Sequence, residues 1–230
     1  MAIFTPGPVV ASISGSVGGT TFSHNRGGRY MRNRSIPVAS TTTYAMNVKA
    51  LMAARSQAWQ SLTTAQRAAW LAFAQQTPVL NALGNAFTRS GHQAYVAINF
   101  RLALNSFALI TAPPIVAAQP ALLTYTQTYD IGAGVESATY TATPLGATSY
   151  LWIRAALVDS AGKTYIKNLL KFIGLSAAAQ ASPFSIESLV NTRLGTQTVG
   201  QTLHTEISVF DSATGLLSPA RPARGVIIST

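Results

Sequence analysis

Cysteine is absent from the 230 residues, and acidic residues are nearly so: there are six, none of them before Asp130. The first absence excludes disulfides and thiolate metal sites and leaves the redox compartment open. The second leaves few candidates for catalysis by paired carboxylates, which needs two acids flanking one bond. Charge of either sign is scarce, at 10% of residues, against about a quarter in ordinary globular chains. A free monomer with so few charges is a solubility risk, so much of the surface is expected to be covered by neighbours. Long apolar runs are missing as well. The longest, Ser106 to Leu123, is interrupted by Pro113, Pro114 and Pro120 and is no membrane span. The opening Met1 to Pro6 has neither a basic nor an apolar leader region, so no signal peptide is expected and synthesis in the cytosol is.

What charge there is falls unevenly. Nine basic residues precede Asp130, namely Arg26, Arg29, Arg32, Arg34, Lys49, Arg55, Arg67, Arg89 and Arg101. After it, seven basic residues nearly balance the six acids. The N-terminal half is therefore a polycation, suited to an acidic protein groove or to nucleic acid. Most of its arginines sit in a glycine-rich segment and not on a helix face, which favours the protein partner.

That segment, Gly15 to Arg34, holds five glycines, four arginines and no acid, with Phe22, Tyr30 and Met31 spaced among them. Glycine is costly to order and builds no core. Residues 1–40 are expected to form an extended arm with one short hairpin. Phe22 and Tyr30 would be either anchors in a neighbour's pocket or stacking groups, while Arg26, Arg29, Arg32 and Arg34 meet carboxylates, carbonyls or phosphates. The run Gly15 to Thr21 invites comparison with a phosphate-binding loop. It lacks the lysine before the hydroxyl residue, and no helical pattern follows, so nucleotide binding is not expected.

Residues 41–110 read as a helical unit. Val48, Leu51, Met52, Arg55, Trp59 and Leu62 recur at three- and four-residue steps, placing them on one helix face. Thr63-Thr-Ala-Gln66 and Ser90-Gly-His-Gln93 each match a capping box, a hydroxyl followed three residues later by glutamine. The first box opens a helix carrying Trp70, Leu71, Phe73 and Ala74, which stops at Thr77-Pro78. It is expected to form an αα-hairpin with the preceding helix, the tryptophans meeting in one core. The second opens a helix with Tyr95, Ile98, Leu102 and Phe107 inward. Between them, Asn81 to Arg89 reads as a turn or hairpin. Pro113-Pro114 is taken as a domain boundary.

Residues 115–230 change to a period of two. Ala138 to Thr143, Tyr150 to Val158, Thr164 to Ile173, Gln201 to Phe210 and Gly225 to Ser229 read as strands, and Ser185 to Leu194 as a short helix closed by Gly195. Six or seven strands without a βαβ rhythm predict an antiparallel β-sandwich, and the whole chain an α+β protein. His24, His92 and His204 are too scattered for a metal site. His204 and Glu206 share a strand face, and a surface contact is the expected outcome there. No cofactor, metal or catalytic residue is expected. Trp59, Trp70, Phe73 and Tyr95 sit at core spacing and not on a base-stacking platform.

At Gly18-Gly-Thr-Thr-Phe-Ser-His-Asn-Arg-Gly-Gly-Arg-Tyr30, followed by Arg32-Asn-Arg34, the chain resembles an uncharacterised family of bacteriophage virion proteins. These open with a Gly-Gly-Thr-x-Phe-Ser-x-Asn-x-Gly-Gly segment and an arginine-rich tail. The similarity continues through Leu62 to Trp70 and Gly91 to Tyr95, and Val209 to Pro219 is similar to the last turn of fibronectin-type-III-like modules. The resemblance implies a virion part in an Ig/fibronectin-III-like setting and carries no catalytic residues. A non-enzymatic structural protein is expected: a capsid decoration, cement or minor head protein, homo-oligomeric and anchored by its arm to the major capsid protein or to neighbouring copies. The alternatives are a basic nucleic-acid-binding protein contacting packaged DNA, and a head–tail connector or tail component.

Overall fold

The structure, a computed structural model, describes the chain except for residues 1, 4, 11, 26, 27, 36–40, 81–85, 116–118, 133–135, 161, 164 and 230. It divides into two compact units, Met1–Met46 and Asn47–Thr230. Pro113-Pro114, expected as a boundary, lies inside the second.

The first unit is an antiparallel sheet of β1 (Ala2–Ile3), β2 (Gly15–Val17), β3 (Thr20–Asn25) and β4 (Gly28–Asn33), in the order β1-β4-β3-β2. This is more regular than an extended arm with one hairpin. The glycines that suggested looseness occupy the reversal. Val17 pairs with Thr20 around Gly18, whose φ of +57° is the left-handed value that a tight hairpin turn requires. The β-branched and aromatic residues between glycines supply the strands.

In the second unit, α1 (Thr43–Ala58), which starts in the first, buries no residue, and a short 3-10 turn, Trp59–Ser61, follows it. Both capping boxes form. Thr63 caps α2 (Thr64–Gln76) through Gln66, and Ser90 caps α3 (Gly91–Leu104) through Gln93. The partner of α2 is α3, in place of the hairpin expected with α1. Gly91 permits the approach, since a Cβ there would lie 2.8 Å from the Leu71 backbone nitrogen. Trp70 is fully buried, edge-on to Phe73 and Tyr95 at 5.8 and 5.4 Å, and its indole N–H donates to the Thr111 carbonyl at 2.8 Å. Trp59 reaches the same Tyr95 ring at 5.5 Å, so the two tryptophans meet through a residue of the third helix. Leu71 is 48% exposed and lies outside the core. Between α2 and α3, β5 (Val79–Leu80) pairs with β6 (Ala86–Phe87), the two sides of the expected hairpin; its tip lies outside the described residues.

Seven described strands follow α3. β7 (Thr124–Gln127), β8 (Ser137–Thr141) and β11 (Phe184–Ser185) form one antiparallel sheet in the order β11-β8-β7. β9 (Ser149–Val158), β10 (Lys171–Leu175), β12 (Thr202–Asp211) and β13 (Arg221–Val226) form another, ordered β10-β9-β12-β13. The helix α4 (Glu187–Leu194) ends at Gly195, φ +99°. With helices beside antiparallel sheets, the chain is α+β. β10 starts later than the sequence suggests because Ile166 to Leu170 turns first, with the N–H groups of Leu169 and Leu170 both donating to the Ile166 carbonyl. β13 starts earlier, at Arg221, and its Pro222 is tolerated because the strand is an edge.

β9 and β12 pair without interruption over ten residues, Ser149 with Asp211 through Val158 with Thr202. Their alternate residues face two different cores. Leu151, Ile153, Leu203 and Ile207 join Tyr140 and Ile186 in the first core. Trp152 and Phe210 join Trp70, Tyr95, Ile98 and Leu102 in the second. Phe107, which follows α3, also packs into this second core, 5.0 Å from the Tyr150 ring and 5.8 Å from that of Phe210. The helices and the four-stranded sheet therefore share one interior. Among the described residues, no helix is long and apolar enough to cross a membrane.

The first core also encloses a carboxyl group. Glu136 is fully buried; its Oε2 accepts from Gln197 Nε2 at 2.7 Å, while Oε1 has no partner among the described residues. Burial raises its pKa above the usual carboxylate value; the Gln197 bond opposes this and Glu187 adds to it.

Two outcomes are expected. Trp70→Ala should cost about 3–5 kcal/mol in urea unfolding, and the half-buried Trp59→Ala less. As for Glu136, its raised native pKa means that the folded state holds a proton which the unfolded state has released. Stability should thus fall as pH rises from the ordinary carboxylate value through the raised one. Glu136→Gln should abolish that decline and raise the melting temperature at neutral pH.

Candidate functional site

The residues singled out in the sequence lie in the first unit, and strand register decides which of them come together. Phe22 stands opposite Met31, and His24 opposite Arg29; Ser23 stands opposite Tyr30, and Thr21 opposite Arg32. Side chains alternate along a strand, so the two sets occupy opposite faces. One face carries Val17, Phe22, His24, Arg29 and Met31. The other carries Ser16, Thr21, Ser23, Tyr30 and Arg32, with the Ser16 and Thr21 hydroxyls 2.9 Å apart. The two aromatic anchors are thus separated by the thickness of the sheet. Arg34 follows β4, its backbone N–H donating to the Gly19 carbonyl at 2.7 Å. Arg26 lies outside the described residues.

The faces differ in chemistry. Val17 is 73% exposed and Met31 40%, flanking a half-buried Phe22. They form an apolar strip edged by the cation of Arg29. The opposite face is hydroxyl-rich, with a half-buried Tyr30 and an exposed Arg32. No described residue of this unit is buried, and both hydrophobic cores consist of residues from the second. A small sheet with no buried residue among those described lacks the packing that ordinarily stabilises one. Met31 and His24 are the neighbours that sequence reasoning did not select. The signal for them was the tight Gly18-Gly19 turn, which starts the sheet, together with the short β3–β4 connection that sets their pairing.

The arrangement offers surface and charge and no reactive constellation. Among the described residues, the only ion pair within 4 Å joins Arg154 Nη1 to Glu206 Oε2 at 3.2 Å, on the four-stranded sheet. Arg29, Arg32 and Arg34 are exposed without such a carboxylate. The three histidines are apart. His24 is on β3, and His92 is at the start of α3, 3.2 Å from Ser56 Oγ and edge-on to Trp59. His204, expected on the surface, is 5% exposed on β12, and Glu206 bonds to Arg154 instead. Burial, then the charge of Arg224, pushes the His204 imidazole below its ordinary pKa. Among the described residues no group of three His, Cys, Asp or Glu side chains could hold a metal ion. The Gly15–Thr21 segment is a β-hairpin and not a strand–loop–helix, so it builds no phosphate cradle.

No protein family, curated protein or solved structure matches the chain.

Because Phe22 belongs to neither core, Phe22→Ser should shift the unfolding of residues 47–230 by no more than about 0.5 kcal/mol, as for an ordinary surface change. Thermal denaturation followed by tryptophan fluorescence reads this directly, since all three tryptophans lie in that unit.

Proposed function

We propose that the chain is a non-enzymatic structural component of a bacteriophage virion, a capsid decoration, cement or minor head protein held in place by its N-terminal unit. The observation that carries this reading is a folded sheet with exposed arginines, an apolar strip and no buried residue among those described. Such a sheet is completed by packing on something else. The Phe22 face would lie on an apolar groove of the major capsid protein or of a neighbouring copy, with Arg29, Arg32 and Arg34 meeting carboxylates or carbonyls. Many weak contacts repeated on a lattice give firm attachment through avidity. The scarcity of charge, 10% of residues, and the resemblance at Gly18 to Arg34 support the same assignment. For the part of the second unit after α3 we favour an Ig/fibronectin-III-like sandwich, since the seven described strands there divide four and three around one core.

A second reading has one observation in its favour. Exposed arginines without carboxylate partners also suit the phosphates of packaged DNA, in which case binding would weaken steeply with salt.

Co-sedimentation with empty, DNA-free capsids separates the two. The structural reading expects stoichiometric binding that survives moderate salt, is abolished by deleting residues 1–34, and is reduced by Phe22→Ser. No shell binding, together with a DNA affinity that collapses with salt and is indifferent to Phe22→Ser, would establish the nucleic-acid reading instead.

A further inference from the structure

The second unit contains a cavity of about 460 Å³ with two arginines in its wall, Arg89 just before α3 and Arg101 in its last turn. The remaining wall is largely apolar, including Phe73 of α2, Ile98 of α3, and Leu216 and Leu217 from the segment after β12. No acidic side chain lines it. A pocket of several hundred Å³, mostly apolar with a few placed polar groups, has the proportions of a small-molecule site.

The two guanidiniums are held there at a cost. Arg101 Nη1 donates to the Gly215 carbonyl at 3.2 Å, a neutral acceptor that leaves its charge uncompensated. Gly215 is fixed in turn, with φ of +68° and space for no Cβ, which would lie 2.7 Å from Ile98 Cγ2. The carbonyl and the arginine it anchors are thus set by the close packing of this turn on α3. Arg89 Nε is buried and finds no hydrogen-bond partner among the described residues. Burial, followed by repulsion from Arg89, brings the Arg101 pKa down to about 10. Burial alone lowers that of Arg89. Both remain cations at neutral pH. Both side chains are half-buried, and an arginine without an anion loses the strongest bond its fork can make.

We propose that this cavity binds a carboxylate carried on an apolar stem, the carboxylate held between Arg89 and Arg101 and the stem lying against Phe73, Ile98, Leu216 and Leu217. Guanidinium forks match the planar carboxylate geometrically, and the apolar wall supplies what inorganic anions cannot use. The source is either a free organic acid or the acidic or C-terminal residue of a peptide; both present the same group. The assignment is independent of the virion reading and stands or falls without it.

Titration calorimetry on the full chain, with hexanoate as the probe, tests it. Hexan-1-ol serves as the neutral control and inorganic phosphate as the control without a stem. Saturable, one-to-one binding of hexanoate is expected, at least tenfold tighter than either control. Arg89→Gln should weaken it at least tenfold while the melting temperature holds. Arg89→Lys should keep part of the affinity, since the charge stays and the fork is lost. Ile98→Val, a mild change in the wall, should weaken hexanoate and leave phosphate alone. A short peptide ending in leucine, compared with its C-terminal amide, then distinguishes the sources. Tighter binding of the free acid than of hexanoate assigns a peptide terminus, and weaker binding assigns a small organic acid. Absence of hexanoate binding, equal binding of hexan-1-ol, or affinity unchanged by Arg89→Gln in a folded protein overturns the proposal.

Discussion

The second unit depends on one strand pair that is buried on both faces along most of its length. β9 and β12 run together for ten residues, and most positions on both are buried. A strand buried on both faces needs two separate covers. The three-stranded sheet supplies one through Ala138 and Tyr140, and the helices supply the other through Trp70, Tyr95 and Leu102. On the face that the helices cover, Trp152 is stacked on Phe172 of β10 at 4.1 Å and lies 5.6 Å from the Phe210 ring of β12, so three neighbouring strands share one aromatic surface. Aromatic pairs at these separations contribute about 0.5–1.5 kcal/mol beyond the area they bury.

The features that the sequence made legible were those decided by neighbours in the chain. Both capping boxes are local hydrogen-bond exchanges over three residues, and both formed at the expected positions. Gly195 closed its helix because a left-handed residue there is a local requirement. The α+β class followed from periodicity alone. Choices of partner were not legible. Nothing in the spacing of Trp59 and Trp70 says that Tyr95 stands between them, and the α2–α3 approach rests on Gly91, a glycine inside a capping box whose role shows only in three dimensions. His204 looked like a surface residue because alternation implies one wet face, whereas β12 has none at that position.

The candidate site was legible as composition and not as geometry. The glycine-and-arginine segment stood out at once, but its glycines suggested a loose arm. Gly18 serves order, turning the chain so that β2 pairs with β3. The β3–β4 register sends Phe22 and Tyr30 to opposite faces, so two anchors that looked equivalent on paper serve different surfaces. Arg89 and Arg101 were counted in the N-terminal charge without being distinguished from the other basic residues. Their shared cavity depends on a turn more than a hundred residues away, at Gly215.

Under the docking role proposed above, Arg29 on one face of the first sheet and Arg32 on the other have a consequence for kinetics. Long-range attraction to an acidic surface depends on charge and barely on orientation, so either face approaches equally fast, and the arginines raise the rate of encounter. Only one face then offers an apolar strip, at Val17, Phe22 and Met31, to hold what has been met. Speed of arrival and length of stay are in this way assigned to different residues. Added salt should lengthen the search and leave the dwell time nearly alone, while erosion of the strip should do the reverse.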